Sequence, residues 1–184
     1  MPRSTSSHAM RVWPLVIVLV TADRITKSVA EAVLWPRGVP QPVFGDWFRW
    51  TLVYNPGAAF GLHLGPYSRW IFLALTVGAL WILWQLYQST AAGERWRAVA
   101  IGLVTAGAIG NLIDRVISPN GVVDFIDIGV GNLRWPTFNV ADMAVSTGAV
   151  LLATVLWRDD VAAERRDDAD APVARMGDAG HVSS

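Results

Sequence analysis

Four stretches of this chain are apolar over about 18 residues or more, the length a helix needs to cross roughly 30 Å of hydrocarbon. They cover about 12–34, 70–87, 98–117 and 138–157. Three of them nevertheless hold charged or amide side chains. The first carries Asp23, Arg24 and Lys27, the third Asn111, Asp114 and Arg115, and the fourth Asn139 and Asp142. Only the second is clean. Long apolar runs predict an all-α membrane protein of four transmembrane helices. The interruptions need a reason, because a charge in hydrocarbon costs from about 2.5 to more than 10 kcal/mol.

Composition supports the membrane reading. Of 184 residues, 53% are hydrophobic and 16% charged, more apolar than an ordinary soluble domain. Trp35, Trp70, Trp96 and Trp157 stand at the predicted span ends, where an amphipathic ring favours the membrane interface. Lys and Arg set the orientation. Arg3 and Arg11 precede the first span, Arg95 and Arg97 separate the second and third, and Arg158, Arg165, Arg166 and Arg175 follow the fourth. Four spans put all of these on one side, so both termini are expected in the cytoplasm, with 1–11 as a short N-terminal segment. A cleavable signal peptide ending near Ala22 is a rival for the first run, but the apolar pattern continues past Lys27 to Leu34. Residues 158–184 are rich in Asp, Ala and Arg and read as a disordered cytoplasmic tail. The segment between Trp35 and Arg69 mixes Pro, Gly and aromatics. Phe48 to Tyr54 alternates weakly, which predicts a small β-like region outside the membrane, and 118–137 is similar. Asp46 and Asp127 read as ordinary loop residues.

Depth gives the polar residues a common address. With the N-terminus inside, the third span runs outward, so Asn111, Asp114 and Arg115 come near its outer end. The fourth runs inward, so Asn139 and Asp142 come near its outer start. Asp124 hangs in the connection between them. Asn111, Asp114 and Arg115 are spaced i, i+3, i+4 and share one helix face. Gly102, Gly107, Gly110 and Gly148 permit close helix approach. The carboxylates therefore converge on one site in the outer leaflet.

The residue types narrow the chemistry. There is no cysteine, which removes disulfides and a thiol nucleophile. The three histidines, His8, His63 and His181, all fall outside the spans, so a Ser–His arrangement is not favoured. No H-E-x-x-H run stands in the chain, and a zinc site is not indicated. The formal net charge is zero and points to no nucleic-acid partner. Paired carboxylates remain. Two close Asp residues share a proton, so one can activate water while the other donates to a carbonyl. On spacing alone, Asp114 is as good a dyad member as Asp124.

At this point the motifs resemble those of the lipoprotein signal peptidase (signal peptidase II) family over roughly 12–157. The matching blocks are Asp23-Arg-Ile-Thr-Lys27, Asn55-Pro-Gly-Ala-Ala-Phe-Gly61, Gly107-Ala-Ile-Gly-Asn-Leu-Ile-Asp-Arg115, Val122-Val-Asp-Phe125 and Phe138-Asn-Val-Ala-Asp142. Ala106 departs from the pattern, where the family often has a second glycine. The resemblance implies an aspartic endopeptidase of the bacterial inner membrane with Asp124 and Asp142 as its catalytic dyad. It implies substrate-binding or supporting roles for Asp23, Lys27, Asn55, Gly57, Asn111, Asp114, Arg115, Asn139 and Ala141. The implied substrate is a diacylglyceryl-modified prolipoprotein, cut just before the lipidated Cys, with the acyl chains in membrane lipid. Inhibition by cyclic peptides of the globomycin type is implied as well, with a polar group between the two Asp residues. No metal or organic cofactor is implied. Two rivals are a small proton-coupled transporter and a non-catalytic membrane adaptor. Clustering of the polar groups at one leaflet, with none in the second span before Gln85, argues against an ion path.

Overall fold

A computed structural model describes residues 6–57, 65–91 and 93–177, with side chains described from Val12 to Arg166 within that range. The chain forms helix α1 (Ser6–Val33), strands β1 (Gln41–Phe44) and β2 (Phe48–Asn55), helices α2 (Ser68–Gln88) and α3 (Arg95–Ile117), strands β3 (Val122–Val130) and β4 (Leu133–Arg134), and helix α4 (Val140–Gly177). A short 3₁₀ turn, Gly65–Tyr67, leads into α2.

Among the described residues, three helices are long and apolar enough to cross a membrane: α2 with its preceding turn, α3, and α4 as far as Arg166. The first helix differs because Asp23, Arg24 and Lys27 sit in its middle. Asp23 and Lys27 do not face lipid. They are 1% and 0% exposed, turned into the bundle where partners stand.

Helix α3 is central and packs against the other three. Its contact with α4 is the closest, and glycine makes it possible. A Cβ at Gly107 would collide with the Ala141 carbonyl oxygen and Val145, and one at Gly148 would lie 2.8 Å from Leu103 and Val104. These approaches draw the start of α4 against the C-terminal half of α3. On its other side α3 packs on α1, where Val12, Val16, Ala98 and Ala106 form one apolar cluster.

The four strands form an antiparallel sheet in the order β1-β2-β3-β4. It covers the end of α1 through a second cluster of Ala30, Leu34, Leu52, Val123 and Phe125. The register pairs Val53 with Asp124 and Asn55 with Val122. Asn55 and Asp124 are thus diagonal cross-strand neighbours on one face, within reach of each other's side chains.

Two expectations need correction. Helix α4 does not stop near Trp157. It runs to Gly177. Ala, Glu and Arg are strong helix formers, and a helix already nucleated in the bundle extends without the cost of a new nucleus. Asp46 and Asp127 are not idle loop residues. Asp127 lies on β3 and is 4% exposed. It bonds the Thr51 hydroxyl at 2.8 Å and Arg49 at 2.9 Å, and also pairs with Arg134. Asp46 accepts from Arg49 at 3.1 Å. Together they tie the β1–β2 hairpin to β3–β4.

Candidate active site

The site grows from the first turn of α4. Asn139 is the residue before the helix and Asp142 the third within it. The Asn139 side-chain oxygen accepts from the Asp142 N–H at 2.9 Å, and Asp142 Oδ2 accepts from the Asn139 N–H at 3.1 Å. This is a reciprocal capping box, with Asp in the position usually held by Glu or Gln. A third free N–H of this turn, that of Ala141, donates to Asp23 Oδ1 at 2.9 Å. Helix capping therefore fixes Asp142, and it also recruits Asp23 from α1 across the glycine-lined gap at Gly110.

Around Asp142 stands a network of amides. Asn111 Nδ2 donates to Asp142 Oδ1 at 2.7 Å. The Asn111 oxygen accepts from Lys27 Nζ at 3.0 Å and from Asn139 Nδ2 at 3.1 Å. Asn139 Nδ2 also donates to Asp124 Oδ1 at 2.7 Å and to the Val123 carbonyl at 3.2 Å. One asparagine, fully buried, thus touches both Asp142 and Asp124. Asn55 adds a side-chain hydrogen bond to Asp124, and its own oxygen accepts from the Gly57 N–H at 3.0 Å. Gly57 adopts φ +113° and lies against Ser68 and Phe72 of α2, where any side chain would clash. The remainder of that motif, 58–61, lies outside the described residues.

Below this layer is an ion-pair cluster. Lys27 Nζ is 2.7 Å from Asp23 Oδ2 and 2.8 Å from Asp114 Oδ2. Arg24 reaches Asp114 Oδ1 at 2.7 Å, and the Val123 N–H donates to Asp114 Oδ2 at 3.2 Å. Both Asp114 oxygens are therefore engaged, by two cations and one backbone amide. Arg115 rests 5.9 Å from the Phe72 ring centre and donates to the Asn111 carbonyl at 3.2 Å. It is close enough to feel the charges of Asp142, Asp124 and Asp114, and its Nε is buried without a partner among the described residues. Arg69, at the start of α2, donates to the Arg115 carbonyl at 2.6 Å and the Val116 carbonyl at 2.9 Å, closing the end of α3.

Asp124 differs from Asp114 in its surroundings. It is 3% exposed and receives amide donors, with no cation bonded to it among the described residues. Burial, reinforced by the nearby Asp142, outweighs the hydrogen bonds from Asn139 and Asn55 and the charge of Lys27. Its carboxyl is pushed up to about 7. A carboxylic acid that keeps its proton near neutrality can act as a proton donor. Among the described residues no group of three His, Cys, Asp or Glu is arranged to hold a metal.

All eleven residues expected at the site come together within one connected network. Sequence reasoning left out Arg24 and Arg69. Arg24 was legible in part, since it stands i, i+3 from Lys27. Arg69 gave no local signal, because its partners are carbonyls on the next helix.

The fold and site define a class: a helical membrane protein with a buried carboxylate–amide network where three helices meet a small sheet. Comparison with known proteins narrows it. The profile of the signal peptidase (SPase) II family matches residues 15–158. A lipoprotein signal peptidase of Cupriavidus taiwanensis is 48% identical over 153 residues, 81% of this chain and 82% of that one. One from Polynucleobacter necessarius is 38% identical over 155 residues, 83% and 90% of the two chains. Two solved bacterial membrane enzymes superpose with TM-scores of 0.71 and 0.70 at 31% and 32% identity, covering 81% and 80% of this chain and 88% and 93% of theirs. This chain belongs to the signal peptidase II family and is a bacterial membrane protease.

Proposed function

We propose that this chain is an aspartic endopeptidase that removes the signal peptide from diacylglyceryl-modified prolipoproteins, cleaving before the lipidated Cys. Asp124 and Asp142 form its catalytic dyad. The observation that carries this reading is Asn139, whose side-chain amide holds Asp124 at 2.7 Å while its backbone N–H holds Asp142 at 3.1 Å. Asp114 is the weaker candidate because Arg24 and Lys27 engage both of its oxygens.

The two carboxyls divide the work by environment. Asp142 accepts from Asn111 and Asn139 at a helix N-terminus, where a negative charge is favoured. It serves as the base and takes a proton from water. The water oxygen bonds to the scissile carbonyl carbon, and Asp124 gives its proton to the carbonyl oxygen. When the intermediate collapses, the C–N bond breaks and the proton on Asp142 passes to the amine of the departing Cys. The Asp124 proton returns as the new carboxyl carbonyl re-forms. The spare Arg115 Nε is a donor available to a substrate carbonyl.

In this reading α1 is a fourth span, its charges neutralised inside the bundle. The protein sits in the inner membrane with both termini cytoplasmic, and the dyad lies near the outer leaflet, with substrate acyl chains in the bilayer. Cyclic peptides of the globomycin type compete for the dyad.

The test is cleavage of a diacylglyceryl-modified prolipoprotein by purified protein, comparing wild type with Asp124→Asn and Asp142→Asn. Activity falls in both by on the order of 10²- to 10⁴-fold, while thermal stability is kept. Full activity in Asp124→Asn would move the dyad to Asp114 and Asp142. No cleavage by wild type would sink the peptidase assignment for this chain.

A further inference from the structure

Between its helices the bundle has an opening whose Tyr87 end lies away from the carboxylates. Helix α2 packs chiefly on α3, which leaves a cleft of about 220 Å³ between α1, α2 and α3. Val16, Leu83, Trp84, Ile101 and Thr105 line it, and Tyr87 stands at one end. The cleft is apolar along its length. Its mouth is not. The Tyr87 hydroxyl is buried and has no hydrogen-bond partner among the described residues. One turn before Ile101 on α3 stands Arg97, whose Nε is likewise buried and unpartnered among the described residues. Arg97 Nη1 donates to Glu94 Oε1 at 3.2 Å. Along α3, Arg97 is about 25 Å from Asp114 at 1.5 Å per residue, so this mouth opens at the membrane face opposite the dyad.

Two buried polar groups without a protein partner at the end of an apolar trough call for a partner. A ligand that completes both needs an apolar chain for the trough and a hydrogen-bond-accepting, negatively charged head for Arg97. We propose that the α1–α2–α3 cleft is a binding site for one glycerophospholipid of the leaflet opposite the active site. One acyl chain lies between α1 and α2, and the phosphate and ester oxygens meet Arg97 and Tyr87. Charge complementarity selects this occupant, since a neutral hydrocarbon chain alone would leave the guanidinium Nε unpaired. The bound lipid bridges α1 to α2, which otherwise lean on α3 separately, and so steadies the helix whose first turn packs on Gly57 and Arg115.

The experiment uses the full chain, purified in detergent and stripped of lipid by repeated exchange. Phosphatidylglycerol is titrated back while bound lipid is read by native mass spectrometry and Tm by thermal unfolding. Wild type retains one phospholipid and its Tm rises saturably. Arg97→Gln removes the charged donor and weakens the apparent affinity about tenfold, as expected for a charge-assisted hydrogen bond. Thr105→Phe fills the trough and abolishes both the retained lipid and the Tm shift. Two results would overturn the proposal: a wild type with no retained lipid and no saturable shift, or lipid retained equally by both variants, which would locate it elsewhere on the protein surface. Neither readout depends on proteolysis, so failure here leaves the peptidase reading untouched.

Discussion

Asp124 and Asp127 stand on the same strand, both almost wholly buried, at 3% and 4% exposure. Their neighbours treat them in opposite ways. At Asp127 burial works to raise the carboxyl, but hydrogen bonds from Arg134, Thr51 and Arg49 more than offset it and hold the group below its ordinary range. At Asp124 burial wins, helped by Asp142, because the bonded donors are neutral amides. Depth alone therefore does not decide the protonation of a buried acid. Between these two, the difference is that cations are bonded to Asp127 and neutral amides to Asp124. Asp114 also has cations bonded to it, with Lys27 and Arg24 both within 2.8 Å. Of these three acids, the one denied a bonded cation is the one proposed for catalysis.

The widest separation between them is in activity. Asp124→Asn removes the proposed proton donor and is expected to lower prolipoprotein cleavage about a thousandfold. Asp127→Asn leaves it within about threefold, as expected for a group that touches only the sheet scaffold. Initial rates on the same substrate preparation compare the two. Equal losses would erase the distinction.

Asp114→Asn acts next most strongly, and on stability. It leaves Arg24 without this carboxylate and Lys27, which is 0% exposed, with one carboxylate in place of two. Breaking a buried pair costs about 3–5 kcal/mol. Denaturant unfolding in mild detergent reads this loss, and an undiminished midpoint would mean that the cluster is replaceable.

The pH profile follows from the direction at Asp124. On the proposed mechanism cleavage needs its proton, so kcat/KM falls as pH rises through about 7, approaching about tenfold per pH unit above it. Stability has the same sign. The folded state holds this proton up to about 7, whereas the unfolded chain loses it near the ordinary aspartate value of 3.8. Stability therefore declines as pH rises between those values and then levels. Asp124→Asn flattens that decline, and a slope unchanged in the variant would assign it to another group.

The ease of reading these parts from sequence follows the range of the forces involved. Three long apolar helices were legible because hydrocarbon thickness imposes their length locally, and the convergence of Asn111, Asn139 and Asp142 followed from helix periodicity and chain direction. Asp124 was harder, because a strand partner and a capping asparagine hold it in place. Periodicity alone could not rank it above Asp114, whereas the ion pairs from Arg24 and Lys27 do. Asp127 was misread because its partner Arg49 lies 78 residues away in another hairpin. The helical run over 158–177 was hidden by composition, since Asp- and Ala-rich sequence reads equally as solvated coil until it continues an existing helix.

The smallest expected effect sharpens the comparison most. Asp127→Asn keeps a side-chain oxygen for the Thr51 hydroxyl but removes the charge facing Arg49 and Arg134. Both arginines keep some access to water, at 17% and 16% exposure, so neither is stranded as Lys27 would be. The loss should be about 1–2 kcal/mol, within the range for a hydrogen bond to a charged group. It should appear in thermal unfolding with catalysis little changed. If the loss instead matches that of Asp114→Asn, the fold depends on the sheet cluster as heavily as on the intramembrane one. Exposure of the cations would then not be what separates the two.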